Sequence, residues 1–242
     1  MILSRIHPIE EAVRSRPREI EWVLVDSGKR DRRVGELLRL CREHRVPLRY
    51  GERAALDRLA RDNQGAVARL AVRGYLPEDE AFSGERGRRL LLVLDGVQDP
   101  QNLGAVLRVA EGVGAGVAVP ERGSAPLSDA VSRTSAGAVE RVPVVRVGNV
   151  RRFLDRAKEE GFRVVGLDPT GSDFYALDLT GDLALVLGAE GRGMRRLVRE
   201  GCDLVGRLPM KGELASLNVA AAAAVAAYEA LRQRDFSGSS FD

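Results

Sequence analysis

Histidine and cysteine are nearly absent from this chain, with two of each in 242 residues. Cys41 and Cys202 lie far apart and form no CxxC pair. They make neither a metal site by themselves nor a disulfide framework for a core of this size. Two reduced thiols in a cytosolic protein are expected, and no metal. Tryptophan occurs once, and aromatic residues make up 5%. No stretch approaches the roughly 18 consecutive apolar residues of a membrane span. The opening MILSRIHPIEEAVR has no long apolar segment and no small-residue cleavage site, so no secretory signal is read there and a cytoplasmic location is expected. GxGxxG and GxxxxGK(S/T) are also missing, which disfavours ordinary dinucleotide and nucleoside-triphosphate sites. What is present is 44% hydrophobic and 30% charged residues, the composition of a folded protein with a real core.

Charge is spread unevenly. Residues 1–73 hold 17 basic and 11 acidic side chains, and residues 74–242 hold 21 and 24. A basic first third beside a mildly acidic remainder suggests a polyanion-binding module joined to something else, although an Arg-rich solvated surface gives the same numbers. Within residues 1–73 the patterning predicts helix at 8–15, strand at 19–26, amphipathic helix at 32–44, strand at 46–50, helix at 52–60 and strand at 65–72. This is a small α/β unit near the minimum size for independent folding. Residues 74–89 are charged, carry Gly and Pro and lack periodicity, so they read as a linker.

From Leu90 the strands change character. Residues 90–95, 116–120, 142–147, 162–168 and 183–188 are continuous apolar runs, most of them separated by helical stretches. Strands buried on both faces predict a parallel α/β sheet over 90–235, closed by an Ala-rich helix at 216–234 and a polar tail at 236–242. Ligands of such sheets bind beyond the carboxyl ends of the strands, so the loops there carry the search.

Three of these loops stand out. DGVQDPQNLGAVLRVAEGVGAG (95–116) leaves a buried strand and opens a helix, with Asn102 placed to cap it; Arg108 follows close to two turns on. LVLGAEGRGM (185–194) packs glycines after a strand so that backbone can approach a ligand, and Glu190 inside it is hard to explain as a turn residue alone. LPMKGELASLNVAAAAAVAAYEA (208–230) runs through a Gly-containing loop into a helix, with Ser216 and Asn218 at its start, where such side chains suit capping and phosphate contact.

Taken in order, these segments, with TSAGAVERVPVV (134–145) between them, resemble the sequence motifs of the SpoU branch of the trefoil-knotted (SPOUT) methyltransferases. The resemblance covers roughly 90–235. The first third, which begins IHPIEEAV and closes NQGAVARLA, is similar to the small ribosomal-protein-like recognition domain of family members that modify a guanosine of large-subunit (23S) rRNA; Asn63 stands where a His is expected. The resemblance implies a deep knot in the parallel-sheet domain, a homodimer built through the knot region, and S-adenosylmethionine-dependent methylation of a ribose 2′-hydroxyl in RNA. Asn102, Arg108, Glu190, Ser216 and Asn218 would form the catalytic pocket. Gly188, Leu208, Met210, Leu217 and Ser135 would hold S-adenosylmethionine. Ala220 replaces a serine that the family often carries.

Both histidines, His7 and His44, lie in the first third, so the catalytic part lacks the usual general base. The family assigns the proton to Arg108, yet a guanidinium stays charged in proteins. Two readings stay open. Arg108 is a true base, or, as preferred, it remains cationic, is oriented by Glu190 and stabilises the developing alkoxide. The alternatives are a tRNA-directed enzyme, a non-catalytic RNA- or ribosome-binding protein of the same fold, and a nucleotide-dependent α/β enzyme.

Overall fold

Side-chain alternation and its loss build two different sheets. In the computed structural model, which describes residues 2–29, 31–70, 74–214 and 216–235, the chain divides into Met1–Arg73 and Gly74–Asp242. The predicted tail at 236–242 lies outside the described residues.

The first unit runs β1 (Ile2–Leu3), α1 (Ile6–Ser15), β2 (Ile20–Asp26), α2 (Arg32–Glu43), β3 (Leu48–Gly51), α3 (Arg53–Leu59) and β4 (Ala66–Leu70). Its sheet has the order β1-β4-β2-β3, with β2 and β3 parallel and β4 antiparallel to both of its neighbours. Val23 and Val25 of β2 face the layer of α1 and α2, where Ile9, Val13, Leu37 and Cys41 close the core. Period-two alternation sends Trp22 and Leu24 to the other face, and the Arg49 guanidinium lies 5.2 Å from the centre of the Trp22 ring. Asn63 is buried and fully used: Nδ2 donates to Asp57 Oδ1 (2.7 Å) and to the Ala60 carbonyl (2.7 Å), and Oδ1 accepts from Gly65 N–H (3.1 Å). The residue that stands in for the expected histidine therefore locks the turn into β4.

The second unit contains β5 (Leu90–Asp95), α4 (Pro100–Gly112), β6 (Gly116–Pro120), α5 (Asp129–Thr134), β7 (Val144–Val147), α6 (Val150–Glu159), β8 (Arg163–Asp173), β9 (Leu183–Gly188), α7 (Arg196–Arg199), β10 (Leu204–Arg207) and α8 (Val219–Asp235). All six strands pair in parallel, in the order β10-β8-β9-β5-β6-β7. Leu90, Leu92 and Leu94 pack into the core shared with α4 and α8, while Leu91 and Val93 pack toward α6. That two-sided burial is why these strands read as unbroken apolar runs. Alanines 220, 223, 226, 227 and 230 form the buried stripe of α8, whose small side chains let it lie close to its neighbours.

Two sequence expectations change. β8 continues past 168 to Asp173 because β10 pairs with it across a register shift at Val205/Gly206. A Cβ on Gly171 would lie 2.5 Å from the Val205 carbonyl oxygen, so the extension depends on a glycine at close approach. The segment 74–89 is not a free linker. Leu76 forms a bridge with Val145, and a helical turn at Glu78–Phe82 sets Phe82 against Phe153 and Phe162, with ring centres 5.3 and 5.9 Å away. Its polar composition hid a few anchoring side chains.

Candidate active site

The strand order reverses at β5 and β9, and a crevice is expected beyond the carboxyl ends of strands at such a point. The last residues of these strands, Asp95 and Gly188, are register partners. A Cβ on Gly188 would sit 2.0 Å from the Gly193 carbonyl carbon and 2.2 Å from Met194 N. The loop 189–193 therefore doubles back on the strand end, closed by Gly193 N–H donating to the Ala189 carbonyl (2.8 Å). Gly191 and Gly193 have φ of 74° and 66°, a region that glycine enters without penalty. Glu190 is carried on this turn, exposed to solvent.

The exit of the loop is pinned by Asp95. Its carboxylate is fully buried and accepts from Arg195 N–H (2.8 Å) and Nε (2.7 Å), with Nη2 at 2.6 Å. Nothing local in the sequence pairs residues a hundred positions apart. An apolar run ending in a carboxylate was the one visible hint.

Asn218 ties the three predicted loops together. Its Oδ1 caps α8 by accepting from Ala220 N–H (2.9 Å). Its Nδ2 donates to Asn102 Oδ1 (2.9 Å) and, in a shorter contact, to Glu190 Oε1. One amide thus joins residues 102, 190 and 218, each from a different loop. Among the described residues, the Asn102 amide nitrogen and the second Glu190 oxygen have no hydrogen-bond partner, which leaves a donor and an acceptor free beside the cleft. Contrary to the sequence expectation, Asn102 is not the helix cap. Asp99 caps α4 by accepting from Gln101 N–H (3.0 Å), Pro100 takes the first helical position, and Asn102 is buried inside the first turn.

A cleft of about 600 Å³ opens here, lined by the 188–193 backbone, Leu208, Met210, Leu217 and Val219. That volume lies in the usual range for small-molecule sites. Asp168 is also on its wall. Burial pushes its carboxyl up, but the Thr170 hydroxyl and N–H, helped by Arg199, more than offset this and hold it below the ordinary 3.8.

Of the predicted residues, Gly188, Glu190, Leu208, Met210, Ser216, Leu217 and Asn218 line the cleft, and Asn102 stands behind Asn218. Two do not join them. Ser135 is 1% exposed, its hydroxyl donating to the Ser132 carbonyl (3.1 Å) and accepting from Val139 N–H (3.4 Å). It finishes α5 where that helix touches α4, since a Cβ on Gly104 would fall 2.0 Å from Thr134 Oγ1. Arg108 is exposed on α4 and does not line the cleft; six residues on a helix, at roughly 100° each, point it well away from Asn102. Within one chain, Glu190 holds Asn218 rather than Arg108. Among the described residues, no group of three or more His, Cys, Asp or Glu side chains forms a metal cluster. Both cysteines are free, and burial pushes each thiol up to about 11.

The SpoU rRNA Methylase family model matches residues 89–228, and a model for RNA 2′-O ribose methyltransferase substrate binding matches residues 6–75. The chain is 43% identical over 235 residues to the 23S rRNA (guanosine-2′-O-)-methyltransferase RlmB of Pseudomonas syringae pv. tomato, covering 95% of this chain and 94% of that one. It is 40% identical to RlmB of Ralstonia nicotianae, covering 96% of both chains. Among solved structures, the SpoU methyltransferase AviRb from Streptomyces viridochromogenes in complex with AdoMet aligns with a TM-score of 0.78 at 26% identity, covering 99% of this chain and 91% of that one.

Proposed function

The chain belongs to the SpoU rRNA Methylase family, and we infer that it is an enzyme that methylates a ribose 2′-hydroxyl of RNA with S-adenosylmethionine as donor. The RlmB relatives, similar over nearly their whole length, support a guanosine of 23S rRNA as the target. The observation that carries the site assignment is the Asn218 amide, which joins Asn102 and Glu190 at the mouth of an apolar cleft.

The cleft fits the donor. Leu208, Met210 and Leu217 offer an apolar face for an adenine ring, and Gly188, where a Cβ would strike the Gly193–Met194 backbone, lets the 189–193 turn fold back along the cleft wall. The bound donor supplies an electrophilic methyl group on a sulfonium that departs as a neutral thioether. The chain has to align the attacking hydroxyl and give its proton a destination. Asn102, with its amide N–H groups free, orients the ribose. Glu190 and Asn218 keep each other in place. Ser216, exposed at the cleft rim, contacts an RNA phosphate.

Arg108 stays cationic and stabilises the alkoxide as it forms, while phosphate or water takes the proton. Because Arg108 lies outside the cleft of its own chain, we read the enzyme as a cytoplasmic homodimer, in which each Arg108 serves the cleft of the other copy. We also read the second unit as knotted. Two features support the knot. The chain leaves β10 at one edge of the sheet and passes the cleft at 208–217, and α8 then packs in the core layer of α4.

The test is transfer of labelled methyl groups from S-adenosylmethionine to separate unmodified rRNA and tRNA pools, with Arg108→Ala alongside. Alkali-resistant label at one ribose of 23S rRNA, abolished in the variant, is expected. Label in tRNA alone would overturn the substrate, and no label in rRNA, tRNA or precursor particles would overturn the enzyme reading.

A further inference from the structure

Helix ends in this chain expose one arginine held in a costly conformation. α4 and α6 stop in the same way. The residue after the cap turns left-handed, and the next N–H reaches back to the carbonyl of the third-last helical residue. In α4 this is Gly114 (φ 67°), with Ala115 N–H on the Ala110 carbonyl at 2.8 Å; in α6 it is Gly161 (φ 90°), with Phe162 N–H on the Ala157 carbonyl at 2.9 Å. Glycine is the usual choice for this stop because it has no Cβ to clash. α2 makes the same stop with Arg45 (φ 57°): Val46 N–H reaches the Cys41 carbonyl at 2.8 Å and Arg45 N–H the Arg42 carbonyl at 3.2 Å, while Val46 and Cys41 are both buried. α5 is the other exception, with Ala136 at φ 51°, but alanine has no side chain that reaches anything.

A left-handed arginine is strained, and strain that persists at an exposed position points to use. Among the described residues, nothing within the first unit repays it. Among the described residues the Arg45 side chain makes no ion pair, hydrogen bond or ring contact, and the same holds for the side chains of the exposed Arg18, Arg39 and Arg42. These four fall at one end of the unit. α2 joins two parallel strands, β2 and β3, so it runs antiparallel to them. Its last turns, which hold Arg39 and Arg42, and the entry to β3, which holds Arg45, therefore lie at the end where β2 begins, just after Arg18. Acidic residues are present on the same elements, but Glu36 is engaged by Arg32 (2.9 Å) and Glu19 by Arg16 (3.6 Å); Glu43 is the acid that shares the last turn of α2.

We propose that Arg18, Arg39, Arg42 and Arg45 form a phosphate-contacting surface for the substrate RNA, with Arg45 retained at the helix stop for its charge and against the stability of the fold. The proposal rests on the RNA-methyltransferase reading and deepens it. The partner is a polyanion, since four cations that form no ion pair among the described residues, against the single acid Glu43, attract phosphate oxygens and release counterions on binding. It lies on the segment that matches a substrate-binding family at residues 6–75. The contact reads backbone rather than sequence.

Two quantities with opposite expected signs test it, both measured on the full-length chain. Arg45→Gly relieves the backbone and raises the melting midpoint of the first unit by about 2–5 °C. It also weakens binding to a 23S rRNA transcript roughly three- to tenfold at 0.1 M salt and lowers the log–log salt slope by about 0.7–0.9. Arg45→Lys keeps both the strain and the charge, and leaves both quantities near the wild type. Arg39→Gln with Arg42→Gln weakens binding further without a rise in melting temperature. If Arg45→Gly melts higher but binds the transcript with unchanged affinity and slope, the surface is wrong, and a lower melting midpoint overturns the strain argument on which it stands. A wild-type chain that neither binds nor methylates the transcript overturns the underlying substrate reading instead.

Discussion

The two ends of the parallel sheet handle buried polar groups in opposite ways. At the amino end of β5 and β9, Arg89 and Asp182 are 6% and 8% exposed at their side chains and meet at 2.7 Å. The same guanidinium donates to the Phe82 and Glu160 carbonyls and lies 4.5 Å from the Phe162 ring centre, and Asp182 also accepts the Gly87 and Arg89 N–H groups. At the carboxyl end, Asp95 is similarly consumed by Arg195 and Asn218 by its neighbours, but the Asn102 amide nitrogen and one Glu190 oxygen keep hydrogen-bonding capacity beside an open cleft. Charges paired within the fold, as Arg89 and Asp182 are even though the buried Arg89 Nε has no acceptor, hold a scaffold in place. Polar groups with capacity left over beside the cleft are available to a ligand.

The largest effect is expected at the amino end. Arg89→Met strands a buried carboxylate and should cost about 3–5 kcal/mol of stability, read as a large fall in denaturant midpoint. The methyl-transfer rate per folded molecule should stay near the wild type at low temperature. The reverse pattern is expected for Asn218→Ala at the carboxyl end. Methyl transfer should fall about 100-fold, equivalent to roughly 2.7 kcal/mol in the barrier, while loss of the helix cap costs only about 1 kcal/mol in unfolding. An Asn218→Ala enzyme with an intact rate would remove the bridge from the mechanism.

Asp95 is a scaffold group at the functional end, so Asp95→Asn should have an intermediate effect. It keeps an acceptor for the Arg195 N–H but loses the ion pair. An approximately three- to tenfold weaker affinity for S-adenosylmethionine is expected by calorimetry, with the KM for RNA little changed. The smallest effect is in acid. Burial raises the Asp182 carboxyl, but the Arg89 side chain and the Gly87 and Arg89 N–H groups outweigh it and leave the group below 3.8. A carboxyl depressed by folding stabilises the native state fully above its unfolded value and loses that contribution as pH falls through the folded one. Stability should therefore be flat in this respect from pH 7 to about 4.5 and decline below 3.8, a decline that Asp182→Asn removes.

Much of this was legible in the chain itself. The parallel sheet showed in unbroken apolar runs such as LLLVLD and LALVLG, because burial on both faces leaves no polar alternation. The three loops showed because they sit at strand ends and hold glycine, amide and carboxylate residues that a plain turn does not need. The two-part division showed in charge and in the change of strand pattern. Local signals misplaced the cap of α4, since Asp99 followed by Pro100 outcompetes Asn102, and they hid Phe82 within a polar stretch. The family resemblance, and no local signal, put Ser135 with the donor, whereas close packing through Gly104 buries it.

What the sequence determined by itself is whatever depends on neighbours a few residues away: strand type, turn chemistry and the identity of the loops. Tertiary structure alone decided that Asn218 meets Asn102 and Glu190, that Asp95 holds Arg195, and that Arg108 faces away from the cleft of its own chain. Those contacts join residues that no periodicity relates, and the sheet's order of pairing is what brings them within 3 Å or sets them apart.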